Sequence, residues 1–444
     1  MYSQYNDTTV QKIKMTISSS SCVSTTKRLL YAVTRIILWI ILLVIPIFIG
    51  WLNTFDIPMG VLSCLLYPIS KGYFVVPSIL LSSGKKGYDP CPVPEIPKDM
   101  MLLPYPIPEN VSYVTLPNDG KTLLPHIGIG MCCRYTAYDY ESVKRTVLWY
   151  LLLGGRHVDT AQFYLNHVPI GDAISIAINE YNIPRDEIFI TTKVFAGSYG
   201  YNTTLHTIQQ FLHELQVDYI DLVLLHTPSI TIGGTVRVLA WGNECTRNGL
   251  SHKECRIDTW KALNVAKNQR GYIRNIGVSN FLIHHIQELQ EFAASKSTDI
   301  IISSVAVNQI PYNPWIHKIW QDVHEYCHLH NITVVAYSSF MGAAMKQHQL
   351  LSSRIIQSIA TNKSHDDDNG SSWSTAQVLL RWSIQKGNVV IPGTSNPIHI
   401  QENLNVYNLR LSDKEMELID SILLSDDNDN NREPKYIGMI PDKS

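Results

Sequence analysis

Eight times between Ile127 and Pro392 a short apolar run is followed by a longer amphipathic stretch, and that rhythm admits very few folds. The apolar runs read as strands over 127–130, 157–160, 188–193, 222–226, 276–279, 305–309, 333–338 and 389–392. Helical periodicity runs between them, most clearly over 140–153, 205–215, 283–293, 315–330 and 375–385. Strands that alternate with helices form parallel sheets. Eight such units, in a segment of this size, match an α/β fold of the closed (β/α)8 TIM-barrel type. An open doubly wound sheet is the competing arrangement, but no G-x-G-x-x-G follows the first strand. Ahead of the first strand, VSYVTLPNDGKTLLPHIGIG reads as a hairpin turning at Asn118, Asp119 and Gly120.

In a barrel of this type the chemistry sits at the C-terminal ends of the strands. Those ends carry Asp159, Lys193, His226, Ser279 with Asn280, Gln309, and Tyr337. Singly, each has an ordinary explanation: a turn cap, a solvated tip, a satisfied core histidine. Six strands ending on hydrogen-bonding or ionisable side chains describe a polar mouth on an apolar body. The stretch HVDTAQFY adds Tyr164 just beyond Asp159. A phenol with its usual pKa of about 10 shuttles protons poorly near neutrality. A neighbouring lysine ammonium would lower that value, and a carboxylate would keep the buried lysine charged. A histidine across the pocket can donate to a substrate oxygen and fix its position. The set suits protonation of a carbonyl oxygen while another agent attacks the carbon. The sequence shows no nucleophile elbow and no metal-ligand cluster. A hydride from a bound nicotinamide is the attacking agent that fits.

From Val114 to Leu423 the sequence resembles the aldo-keto reductase superfamily. HVDTAQFYLNHVPIG is similar to its DTAxxYxNExxVG signature, FITTKV to its lysine strand and LVLLHTP to its histidine strand. NIGVSNF, VAVNQIPYNP, VVAYSS and VVIPGTSNP…ENL follow in the family's order. The resemblance implies a (β/α)8 barrel and carbonyl reduction with NADPH, or with NADH as the alternative cofactor. Tyr164 would be the proton donor, Lys193 and Asp159 would tune it, and His226 would orient the carbonyl. By the same resemblance Ser279, Asn280 and Gln309 would hold the nicotinamide carboxamide. Tyr337, with Ser338 beside it, would stack on the ring, and Glu402 and Asn403 would contact the adenine end. Family members often place a lysine after the last strand, and an arginine six residues on, to bind a 2′-phosphate. Here Gly393 and His399 stand there, and the amides and hydroxyls of Gly393, Thr394 and Ser395 could cradle a phosphate instead. Cys132 and Thr227 occupy positions that many members fill with aromatic pocket walls, which implies a wider pocket. His167 replaces the signature's glutamate and reads as part of a solvated loop.

Around the barrel at 110–425 the chain divides into further segments. Residues 1–35 form a polar, basic tail, and 426–444 a polar C-terminal one. Ile36 to Leu52 carries no charge, and the run extends to Phe55, long enough for a transmembrane helix. Residues 56–109 combine an interrupted apolar segment with a Pro-rich linker holding seven prolines between 90 and 108. Positive charge ahead of residue 36 favours a cytoplasmic N-terminus. One crossing would then make this a single-pass endomembrane protein with a lumenal barrel; a second crossing over 57–81 would return the barrel to the cytoplasm. Net charge is −2, and nothing in the composition points to nucleic acid as a partner. Of eight cysteines only Cys245 and Cys255 are spaced for a loop disulfide, which an oxidising compartment would permit. The expected partners are a small carbonyl substrate and, through 36–55, a membrane. A cofactor-sensing regulatory or scaffold protein on the same barrel is the rival to an enzyme.

Overall fold

The computed structural model describes residues 111–133, 135–229, 243–295, 301–341, 350–366 and 373–422, all within the unit Gly84–Ser444. The expected membrane segment at 36–55, the basic tail, the Pro-rich linker and the C-terminal tail lie outside the described residues. Among the described residues no helix is long and apolar enough to cross a membrane.

The hairpin forms first, β1 (Tyr113–Thr115) pairing antiparallel with β2 (Leu123–Pro125), with Gly120 at a φ of 62° in the turn. Eight parallel strands follow in chain order. They are β3 (Ile129–Gly130), β4 (His157–Asp159), β5 (Phe189–Val194), β6 (Ile220–Leu225), β7 (Ile273–Ser279), β8 (Val307–Pro311), β9 (Thr333–Tyr337) and β10 (Val389–Val390). The segment before β3 joins it to the far edge. Val390 N donates to His126 O at 2.8 Å, Gly128 N to Val390 O at 2.8 Å, and Gly130 N to Pro392 O at 3.2 Å. This seam closes the sheet into a barrel. A Cβ on Gly130 would stand 2.6 Å from Ile391 O, so the closure requires glycine there.

Side-chain direction alternates along each strand. The inward set builds one apolar cluster from Phe189, Leu222, Leu224, Val307, Val335, Val389 and Ile391, and the hairpin's Leu116 and Leu124 plug it. The outward set, including Ile190, Val223, Leu225, Ile276 and Val334, packs against the surrounding helices. Two or four residues after those inward apolar positions come Lys193, His226, Gln309 and Tyr337. The polar mouth is therefore the continuation of the apolar core along the same strand faces.

Two helices depart from the sequence reading. His167, expected in a solvated loop, opens the helix His167–Asn179, which buries Ile170, Ala173, Ile174 and Ala177 at helical spacing. His252–Asn268 begins inside residues 227–257, which read from the sequence as a long insertion after the histidine strand, and is capped by a Ser251–Glu254 box. A short helical turn, Glu244–Arg247, precedes it. Cys245 on that turn is disulfide-bonded to Cys255, as their spacing suggested. A ten-residue separation makes the Cys245–Cys255 link worth about 3 kcal/mol through loop-closure entropy. Cys245→Ser is accordingly expected to lower the melting temperature by several degrees in non-reducing buffer. An unchanged melting temperature would show that the link carries no stability.

Candidate active site

Asp159 ends β4 and Lys193 lies near the end of β5, and both side chains are almost wholly buried. Lys193 Nζ donates to Asp159 Oδ1 at 2.7 Å and to Thr160 O at 2.9 Å. The other carboxylate oxygen, Asp159 Oδ2, accepts from Gln309 Nε2 at 2.7 Å. Tyr164 closes the short helical turn Gln162–Tyr164, and its hydroxyl stands 3.5 Å from Lys193 Nζ. The His226 ring meets the Tyr164 ring edge-on with centroids 5.7 Å apart. Asp159, Tyr164, Lys193 and His226 thus come together at the barrel mouth.

Burial raises the Asp159 pKa and lowers that of Lys193, while each partner's charge pulls the other back towards its ionised form. Tyr164 goes against the sequence expectation. Burial and the Asp159 charge push it well above 10 rather than down. The ammonium sits closer to Asp159 than to the phenol, so its field is largely cancelled there. The resulting side chain is a neutral phenol that retains its proton. His226 is lowered to about 3, first by burial and then by Lys193, so its imidazole is neutral at any working pH. Its Nδ1 is buried without a protein hydrogen-bond partner.

His157 and His285 are also pushed down to about 3, chiefly by burial. Unfolding lets all three histidines take up protons at their ordinary pKa of about 6.5. Stability should therefore be full above pH 6.5 and fall as pH drops from there towards 3. The midpoint of urea unfolding, followed from pH 7 to pH 5, should decrease steadily; a flat profile would contradict these buried neutral imidazoles.

The resemblance-derived cofactor residues fall along one side of the same mouth. Ser279 Oγ donates to Gln309 O at 3.0 Å, Asn280 Nδ2 donates to His226 O at 3.0 Å, and Tyr337 OH donates to Asn280 Oδ1 at 2.8 Å. Ser338, beside Tyr337, accepts at its carbonyl oxygen from Asn313 Nδ2 at 3.1 Å. After β10 the exposed Gly393 and half-buried Thr394 and Ser395 lead into the helix Pro397–Leu404, which Asn396 caps by accepting from Ile398 N. On that helix Glu402 is half-buried, Asn403 is buried and His399 is exposed. A nicotinamide dinucleotide fits this layout. Amides and a flat phenol ring sit next to the proton-donor set, and a hydroxyl-bearing loop opens a helix whose N-terminal dipole favours phosphate.

Backbone conformation sets the same end apart. Among the described residues eight non-glycine positions have positive φ, and Cys133, Leu165, Asn280, Ser338 and Met341 all lie in loops after strands. A left-handed conformation costs about 1 kcal/mol or more per residue. Five such residues at one end mean that the mouth is held by its surroundings.

Three features escape the sequence reading. Phe163 stacks on Phe195 with centroids 4.9 Å apart and meets His226 edge-on at 6.5 Å. Aromatic walls therefore come from the loops after β4 and β5, whereas Thr227 turns its hydroxyl to Ser229 O. Asn166 accepts from Thr160 Oγ1 at 2.6 Å and donates to Met131 O at 2.9 Å, which fixes the turn carrying Tyr164. His167 is buried rather than solvated, because it opens a helix instead of a loop. It bridges Thr192 Oγ1 at 2.8 Å and Glu214 Oε2 at 3.0 Å, behind the lysine strand.

Residues 126–424 match the sequence model of the Aldo/keto reductase family. The chain belongs to the aldo/keto reductase family. It is 33% identical over 333 residues to the 9,11-endoperoxide prostaglandin H2 reductase of Trypanosoma cruzi, covering 75% of this chain and 96% of that protein. It is 34% identical over 282 residues to glyoxal reductase of Bacillus subtilis, covering 64% of this chain and 82% of the relative. Among solved structures, the Bombyx mori aldo-keto reductase in complex with NADP superposes with a TM-score of 0.57 at 26% identity. That superposition covers 70% of this chain and 92% of the other. This aldo/keto reductase is an NAD(P)H-dependent oxidoreductase with the barrel fold of its relatives.

Proposed function

We propose that this aldo/keto reductase reduces a small aldehyde or ketone to an alcohol, with Tyr164 as the proton donor. The observation that carries the reading is the meeting of Tyr164, Lys193, Asp159 and His226 at the strand ends, with Tyr164 OH 3.5 Å from Lys193 Nζ. A bound NAD(P)H would supply the hydride. Neutral His226 would donate a hydrogen bond to the carbonyl oxygen and hold it against Tyr164 OH. The Tyr164 proton would pass to that oxygen as charge develops, and Lys193, kept ionised by Asp159, would steady the phenolate left behind. Ser279, Asn280 and Gln309 would bind the carboxamide, Tyr337 the ring face, Gly393 to Ser395 a phosphate, and Glu402 with Asn403 the adenine end. Phe163 and Phe195 give the substrate side an apolar wall suited to a carbonyl with an organic substituent.

The enzyme is expected to consume NADPH when offered reactive aldehydes, glyoxal-type dicarbonyls included, and NADH less well. Tight nucleotide binding with no carbonyl-dependent oxidation of either cofactor would favour the cofactor-sensing reading instead. His399, in place of an arginine, removes one cationic partner for a 2′-phosphate, so the ratio of the two Kd values measures how far Thr394 and Ser395 compensate.

The uncharged run at 36–55 supports a single-pass membrane anchor, and the Cys245–Cys255 link supports a lumenal, oxidising setting for the barrel. Alkaline carbonate should leave the full chain in the membrane pellet. Glycosidase treatment should shift its mass if Asn110 or Asn202 is modified; extraction by carbonate would refute the anchor.

A further inference from the structure

Among the helices around the barrel, Lys318–Leu329 carries His324 and His328 one turn apart. Their Nε2 atoms stand 3.1 Å from each other. His324 Nε2 also lies 2.9 Å from Asn388 Oδ1, on the segment entering β10. Asn388 is fully buried, and its Nδ2 donates to Ser383 Oγ at 3.2 Å, which fixes the oxygen towards the histidines. Gly387, at a φ of 83°, leaves room for the second ring: a Cβ there would stand 2.7 Å from His328 Cε1. Tyr312 stacks on His324 at 4.2 Å and sets its plane.

We propose that His324 Nε2, His328 Nε2 and Asn388 Oδ1 form a binding site for a divalent transition-metal ion of the zinc class, built from none of the residues of the catalytic mouth. Two donors bonded at about 2.0–2.1 Å to one ion, at angles between a right angle and the tetrahedral value, lie about 2.8–3.4 Å apart. The 3.1 Å separation of the two rings and the 2.9 Å separation from Asn388 both fall in that interval. A single Nε2–H on His324 cannot point along both directions at once, whereas an ion in front of the three atoms uses a lone pair of each. Imidazole with a neutral oxygen suits zinc and its neighbours rather than calcium or magnesium. Neutral rings are the ligating form, and burial lowers the pKa of both histidines. Among the described residues no three His, Cys, Asp or Glu side chains converge as ligands; here the third donor is an amide. His328 is exposed, so the ion has an entry path and room for water ligands. Bound metal would tie the helix Lys318–Leu329 to the strand that closes the barrel seam.

Isothermal titration of the full-length protein with zinc chloride tests this. Wild type should take up one ion with micromolar affinity, and the metal should raise its melting temperature. His328→Gln, at an exposed position, should weaken binding at least tenfold while leaving the metal-free melting temperature unchanged. His324→Gln should do the same to binding. No zinc uptake by wild type, or uptake that survives in the double variant, would overturn the site.

Discussion

Tyr164→Phe is expected to lower kcat by a thousandfold or more while the Kd for nicotinamide nucleotide stays within a few-fold of wild type. Loss of a positioned general acid costs about two to four powers of ten in rate. Here the loss should lie at the upper end. The phenol is the neutral, proton-bearing group nearest Lys193, and the other groups around it cannot replace it. His226, with a pKa pushed down to about 3, carries no spare proton near neutrality. Lys193 is engaged with Asp159 and Thr160 O. Phenylalanine preserves the ring that meets His226 edge-on, so the fold and the nucleotide side should be undisturbed. Stopped-flow measurement of carbonyl-dependent NADPH oxidation, alongside nucleotide titration, checks both halves. Turnover at the wild-type rate would remove Tyr164 from the chemistry.

Lys193→Met should have the second-largest effect, and on stability as well as on rate. It leaves Asp159 buried with only Gln309 Nε2 as a hydrogen-bonding partner. Breaking a buried ion pair from one side costs about 3–5 kcal/mol. Lys193→Met/Asp159→Leu removes the orphaned charge and should recover part of that stability. Recovery should be incomplete, because Gln309 Nε2 and Thr160 O lose partners at about 1–3 kcal/mol for each buried group. Activity should not recover at all, since no cation remains beside the phenol. Denaturant unfolding and turnover measured on the single and double variants separate the two roles. A double variant that regains turnover would show that Lys193 serves structure alone.

Much of the barrel was legible because its strands are short runs of β-branched and leucine residues broken by turn chemistry. Asp159, Lys193 and His226 were legible because each stands where an apolar alternation turns polar. The helix His167–Asn179 was not, because Pro169 and the polar start of the segment mask the buried Ile170, Ala173, Ile174 and Ala177. That periodicity is present in the sequence and would also have placed His167 on the buried side. His252–Asn268 hid behind its charge: its inward face includes Arg256, Thr259 and Asn264 among the apolar residues. Arg256 is kept inside by Glu288 and Pro228 O. No local pattern reveals partners so distant in sequence.

The direction of the Tyr164 shift was also beyond the sequence. Residue types alone place a lysine next to a phenol. Which of Asp159 and Tyr164 lies nearer Nζ depends on distances of 2.7 and 3.5 Å that only the assembled mouth sets. The aromatic wall belongs to the same class of feature. Phe163 and Phe195 follow different strands, and their stacking arises because Gln162 links the two loops. Its Oε1 accepts from Phe195 N at 3.0 Å and its Nε2 donates to Ser198 Oγ at 2.9 Å.

A carbonyl held between Tyr164 and His226 should receive a hydride from the bound nucleotide and a proton from Tyr164. Reaction of the enzyme with an aldehyde and NADPH deuterated at the transferring position follows both transfers at once. One alcohol should form for each NADPH oxidised, with deuterium on the former carbonyl carbon, and it should form at least a thousandfold more slowly with Tyr164→Phe. NADPH oxidation without labelled alcohol, or labelled alcohol formed equally well by the variant, would contradict this mechanism.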